Sequence, residues 1–232
     1  MITVPLYRSG SPSLRPRNSP AMTRFVPQRR RFLVFSAAAL LAGGTSWRGA
    51  RAQAATGAAV AFVKKTGEQL VAVVNGAGSN AQKRQDMTRI INTVVDVDSV
   101  ARFCLGRFWR EATPVQQQRY VEMFHEVLVT NITAKLGDYK GVTFTVNRST
   151  PDGDNVSVDT TVQRPNNPPT NVQWIIANAS SDPKIVDVVA EGTSMRLTQR
   201  NDYTSYLVHN NNSIDALISA MRQQLEQNAA SG

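Results

Sequence analysis

Two histidines, one cysteine and a handful of neighbouring acids are all that this 232-residue chain offers to acid–base or covalent chemistry. A nucleophilic triad needs a histidine as its base. His125 falls at the margin of the apolar arc of a helix, and His209 stands near a helix end before three asparagines, where it can satisfy terminal carbonyls. Both read as structural. Cys104 lies among Phe103, Leu105 and Phe108, the company of a small buried hydrophobe rather than of a nucleophile. Asp96 and Asp98 sit where a helix begins, so they read as caps. Asn75-Gly76-Ala77-Gly78 fits neither a phosphate loop nor a dinucleotide fingerprint. The cysteine and histidine counts weigh against a disulfide framework and a Cys/His metal site alike. These residues propose no enzyme, no metal and no cofactor.

The charge distribution narrows the choice further. The chain carries 26 Lys+Arg and 17 Asp+Glu, but nine arginines and no acid fall in residues 1–52. Residues 53–232 are left with 17 basic and 17 acidic side chains. A pI near 10.2 therefore does not imply polyanion binding, because that needs a basic face on the folded part.

Residues 1–52 read as an export signal. Arg29-Arg30-Arg31 precedes an apolar run, Phe32 to Ala42, which rises only about 16 Å as a helix against a bilayer core of about 30 Å. Ala50-Arg51-Ala52 supplies a small-residue cleavage pattern, with the cut expected after Ala52. The paired arginines before a hydrophobic pair resemble a twin-arginine signal, and an ordinary Sec signal is the other reading. Translation starts at Met1 or at Met22. Residues 53–232 form one soluble domain on this reading, and the destination is the periplasm.

To about residue 140 the apolar spacing is helical. Thr56–Gly76 forms one helix and Asn80 caps a second, to about Val94. Asp98 caps a third, through Arg110. Thr113-Pro114-Val115-Gln116 is a capping box with proline at the first helical position, and its helix runs to about Leu136, with Gly137 ending it. From residue 141 the period is two. Strands are expected at 142–146, 156–163, 172–177 and 185–190, with Met195 and Leu197 continuing the last beyond a turn or bulge at Gly192. A helical pair, Asp202–His209 and Ser213–Leu225, closes the chain. Helices segregated from strands imply an α+β domain, with an antiparallel sheet covered by helices.

In Val97–Tyr120 the order of residues becomes specific. A short helix with Leu-Gly-x-x-Trp-Arg, then Thr-Pro-x-x-Gln leading into an aromatic-bearing helix, resembles the MlaC / toluene-tolerance family of periplasmic phospholipid-binding proteins. A second block fits too: Ile185 to Gly192, then Gln199-Arg200-Asn201-Asp202-Tyr203. Asn210-Asn211-Asn212-Ser213 stands where the family is often glycine-rich. The resemblance covers roughly residues 58–226 and includes a hopanoid-associated subgroup. It implies a strongly curved antiparallel sheet in a nuclear-transport-factor-like cone, whose apolar cavity takes up phospholipid acyl chains. It also implies monomeric carriers that work between an outer-membrane lipoprotein complex and an inner-membrane ABC transporter complex, without catalysis or cofactor.

From apolar positions in the matching segments, the lipid-contact candidates are Phe103, Phe108, Trp109, Phe124, Leu128, Phe144, Val146, Trp174, Ile176, Val188 and Met195. Periodicity does not separate cavity lining from solid core, because both face inward, so each of them is also a core candidate. Two further readings stay open. Cones of this class also host isomerases and hydrolases that use a buried carboxylate, for which Asp159 or Asp187 would have to face the cavity. A non-catalytic envelope adaptor would have a solid interior.

Overall fold

The computed structural model describes residues 46–230, and the export-signal expectation for residues 1–45 lies outside them. Six helices and five strands follow in order: α1 (Ser46–Asn75), α2 (Asn80–Val94), α3 (Val97–Leu105), α4 (Pro114–Ala134), β1 (Thr143–Asp152), β2 (Asn155–Gln163), β3 (Thr170–Ala177), β4 (Lys184–Ala190), β5 (Thr193–Ser194), α5 (Met195–His209) and α6 (Ile214–Ala230). Short 3₁₀ turns at Gly106–Arg110 and Leu136–Tyr139 extend α3 and α4. The Ala52–Gln53 bond falls inside α1. No helix of the described residues is long and apolar enough to cross a membrane.

Local chemistry sets most helix starts. Gln116 N–H donates to Thr113 Oγ1 at 3.3 Å and Thr113 N–H returns to Gln116 Oε1 at 3.0 Å, with Pro114 opening α4. Two caps differ from expectation by one or two residues. Ser79, not Asn80, caps α2, because its hydroxyl accepts from Gln82 N while Gln82 reaches back to it. Asp96, not Asp98, caps α3 and accepts from Ser99 N at 3.0 Å. In both cases the residue that starts the helix is the one whose side chain can turn back onto the third amide.

The sheet is an open antiparallel meander in the order β1-β2-β3-β4-β5. Register slips once in β1, between Val146 and Ser149, and once where β3 meets β4, beside Ile175 and Ile176. Such irregularities bend and twist a strand pair. Glu191 and Gly192, at φ +48° and +78°, make the two-residue turn into β5. Met195 and Leu197 do not continue a strand. The chain is already helical at Met195, because Ser194 caps α5 by accepting from Leu197 N at 3.1 Å.

Apolar side chains gather in three places. Tyr120, Phe124, Leu207, Leu217 and Met221 are among those that fill the space between α3, α4, α5 and α6. Val74, Met87, Ile91 and Val142 close α1 and α2 against the start of β1. The third cluster lies between α1 and the sheet.

Candidate functional site

Strand alternation gives the sheet two unlike faces. Val158 pairs with Trp174, Trp174 with Val188, Val146 with Thr160, and Thr160 with Val172. Paired residues share a face. At one end of this apolar face Val156, Val158, Ile176 and Ile185 are buried with Ala59, Val63 and Val94. Farther along, Val146, Trp174 and Val188 stay half-buried, an apolar stripe across strands β1, β3 and β4 that the helices only partly cover. Trp174 is fixed there: its Nε1–H donates to Thr160 Oγ1 at 3.0 Å, and that hydroxyl donates to Val172 O at 3.0 Å.

The opposite face carries Ser157, Asp159, Gln173 and Asp187. Asp159 accepts from Gln173 Nε2 at 2.9 Å and pairs with exposed Arg148 at 2.6 Å. Asp187 is buried, with its carboxylate taking Ser194 Oγ–H at 2.6 Å, Arg196 N–H at 3.1 Å and Arg196 Nε at 3.4 Å. Neither acid shares the face of Trp174 and Val188. Asp187 instead ties β4 to the first turn of α5, a role that sequence periodicity did not reveal. Among the described residues no group of three or more His, Cys, Asp or Glu is placed to hold a metal ion.

The histidines and the cysteine are spoken for. His125 Nε2 meets Asn92 Oδ1 at 2.6 Å and links α4 to α2, while His209 Nδ1–H donates to Ser205 O at 2.7 Å. Cys104 Sγ lies 3.5 Å from Arg196 O. Burial, then the nearby Asp187 charge, pushes its thiol up to about 12, so it is unreactive at neutral pH. Burial raises the Tyr120 and Tyr203 phenols as well.

The eleven candidates do not converge on one point. Phe108 and Phe124 are buried in the helical core, with Phe103, Trp109 and Leu128 packed at its margin. Ile176 is buried beneath α1, and Val146, Trp174 and Val188 form the half-covered stripe. Phe144 lies against α1, where a Cβ on Gly67 would stand 2.2 Å from its ring. Met195 opens α5 and is 46% exposed. Two clefts stand apart from all eleven. One, of about 250 Å³, lies between the start of α1 and the β1–β2 turn, beside Thr56, Pro151 and Asn155. The other, of about 530 Å³, is bordered by Asp96, Glu122, His125 and Lys184. Both have mixed polar walls.

An open antiparallel sheet, backed by helices and apolar on the side that faces α1, defines an α+β domain. Within that class the chain belongs to the MlaC protein family, whose model matches residues 64–223. It is 28% identical over 134 residues to the toluene tolerance protein ttg2D of Pseudomonas putida, covering 57% of this chain and 62% of that relative. The match thus spans less than two thirds of the relative's length. The fold is shared with a phospholipid-binding protein from Ralstonia solanacearum, solved in complex with a phospholipid, at a TM-score of 0.64 and 21% identity, over 74% of this chain and 98% of that one.

Proposed function

We propose that this protein is a periplasmic lipid carrier, in which phospholipid acyl chains lie against the helix-facing side of the sheet. The observation that carries the reading is the half-covered stripe of Val146, Trp174 and Val188, in a fold shared with a protein solved with a phospholipid. Each methylene leaving a bilayer for water costs about 0.8 kcal/mol, so two tails with on the order of thirty methylenes face roughly 20 kcal/mol or more. A carrier offsets this with a dry apolar surface and needs no catalytic group. Seating both tails requires the helices to part from the sheet. On this reading α1 is the layer that moves: beside Val63 it turns the small residues Ala59, Thr66 and Gly67 inward.

On this reading the carrier exchanges lipid with an inner-membrane ABC transporter complex and an outer-membrane lipoprotein complex. Membership of the MlaC family supports that assignment. The test is organic extraction of the purified protein followed by mass spectrometry. Co-purifying phospholipid or hopanoid supports a carrier. The separation of the apolar candidates from both clefts favours a second reading, an envelope adaptor with a solid interior. Absence of lipid from protein isolated without detergent, and failure to take lipid up from vesicles, would decide for the adaptor.

A further inference from the structure

Arg196 and Arg200 lie one turn apart on α5, and both guanidinium groups meet the same ring: Cζ is 4.4 Å from the Phe103 centroid for Arg196 and 5.0 Å for Arg200. Two like charges at this spacing repel each other. Arg196 has Asp187 as its partner at 3.4 Å. The Arg200 side chain, although half-buried, makes no ion pair and no hydrogen bond with another described residue. Two guanidiniums against one carboxylate leave a net positive charge.

The backbone makes room for this unpaired cation. Gly106 ends α3 at φ +60° and ψ −128°, a conformation open to glycine. A Cβ there would stand 3.1 Å from Arg200 Nε and 3.3 Å from its Cζ and Nη2. The guanidinium therefore packs against bare backbone and an aromatic ring, contacts that hold its plane and use none of its five N–H donors. Arg102 lies over Trp109 and Arg107 over Phe108, each at 4.8 Å. Residues 102–110 and 195–201 together hold five arginines and no acid.

A held guanidinium with free donors, beside a second one, matches the paired oxygens of a phosphate. We propose that Arg200, with Arg196, is a phosphate-recognition site that takes the phosphodiester of a lipid head group. The proposal rests on the carrier reading above. Asp187, which anchors Arg196, lies on the face of β4 opposite Val188 of the half-covered stripe, but close to the sheet edge, where the outer neighbour β5 has only two residues. A head group held at this edge would have its tails turn around β4 onto the apolar face. Met195 and Leu197, 46% and 48% exposed, bracket Arg196 and add an apolar rim.

The test compares dioleoylphosphatidylglycerol with dioleoylglycerol, which has the same tails and no phosphate, in uptake from vesicles. The wild type should favour the phospholipid at least tenfold. Arg200→Gln should abolish most of that preference, lowering Tm by no more than about 2–4 °C through the lost ring contact and leaving uptake of the phosphate-free dioleoylglycerol at the wild-type level. Arg200→Lys, a charge without the planar fork, should restore only part of the preference. An undiminished preference in Arg200→Gln overturns the proposal. Inorganic phosphate separates the sources. A site for the free ion would show Arg200-dependent broadening of the phosphate ³¹P resonance with no change in lipid preference, which overturns the head-group assignment. A wild type that takes up neither lipid overturns the carrier reading, and this proposal with it; uptake of both lipids with equal efficiency overturns this proposal alone.

Discussion

Replacing Asp187 with alanine separates a structural anchor from a catalytic base. The carboxylate is only 5% exposed and accepts from Ser194 Oγ and from the amides of Val188 and Arg196, besides the Arg196 guanidinium. Hydrogen bonds to a charged group contribute about 1.5–3 kcal/mol each. The sum must be discounted, because the Arg196 side chain is 28% exposed and can recover water, as can the first amides of α5. We therefore expect Asp187→Ala to cost about 3 kcal/mol, which for a domain of this size lowers Tm by roughly 6–12 °C. Asp187→Asn preserves the shape and one acceptor oxygen but removes the charge, and should cost about half as much. Urea unfolding followed by circular dichroism reads both, with an unchanged m-value marking a pure stability effect. A loss below about 1 kcal/mol for the alanine variant would refute the anchoring argument. An acid kept for chemistry would instead leave stability intact and abolish turnover.

Four further outcomes follow from the same geometry. Val188→Glu places a charge on the half-covered stripe and should abolish lipid retention in the extraction assay, with less than about 1 kcal/mol lost because the site is already half open. Gly67→Leu drives a side chain into the Phe144 ring and should cost about 1–3 kcal/mol by urea unfolding, a penalty relieved when Phe144 is also made alanine. Thr113→Ala removes the α4 capping box and should cost about 1 kcal/mol in the same assay. The folded-state thiol of Cys104 is raised from 9.0 to about 12, so its contribution to stability is complete below pH 9 and is lost as pH rises from there through 12; native Cys104 should resist alkylation at pH 8 until the protein is unfolded.

What could be read from sequence follows the range of the interactions involved. The α4 start is written in four adjacent residues, and the meander in alternating valines and threonines, so both were legible. Met195-Arg196-Leu197 alternates as a strand does, yet forms a helix, because Ser194 caps it and a carboxylate nine residues upstream of Arg196 takes the Arg196 amide. That acceptor is supplied by the fold, and no local pattern carries it. At the Asn210–Ser213 loop, Asn211 and Asn212 adopt φ +54° and +57°, so asparagine serves where glycine is the commoner choice.

The residues proposed to meet lipid carry an inward signal in sequence that does not say which of them are solid core, for a physical reason. Phe124 and Trp174 carry the same inward signal in sequence. One is buried 5% exposed among four helices, whereas the other lies half-covered on a sheet. Packing decides the difference: helices α3 to α6 close on one another with large side chains, while α1 meets the strands with Val63 flanked by the small residues Ala59, Thr66 and Gly67. Small residues give up less apolar contact when two layers separate. On the carrier reading proposed above, an interface that opens for cargo is better built from such small residues than from the interlocking aromatics of the helical core, and the boundary expected to move is the one between α1 and the sheet. Crosslinking α1 to β1 through engineered cysteines tests this directly. Lipid uptake should fall when the bridge is closed and return on reduction, and uptake unaffected by the closed bridge would move the boundary elsewhere.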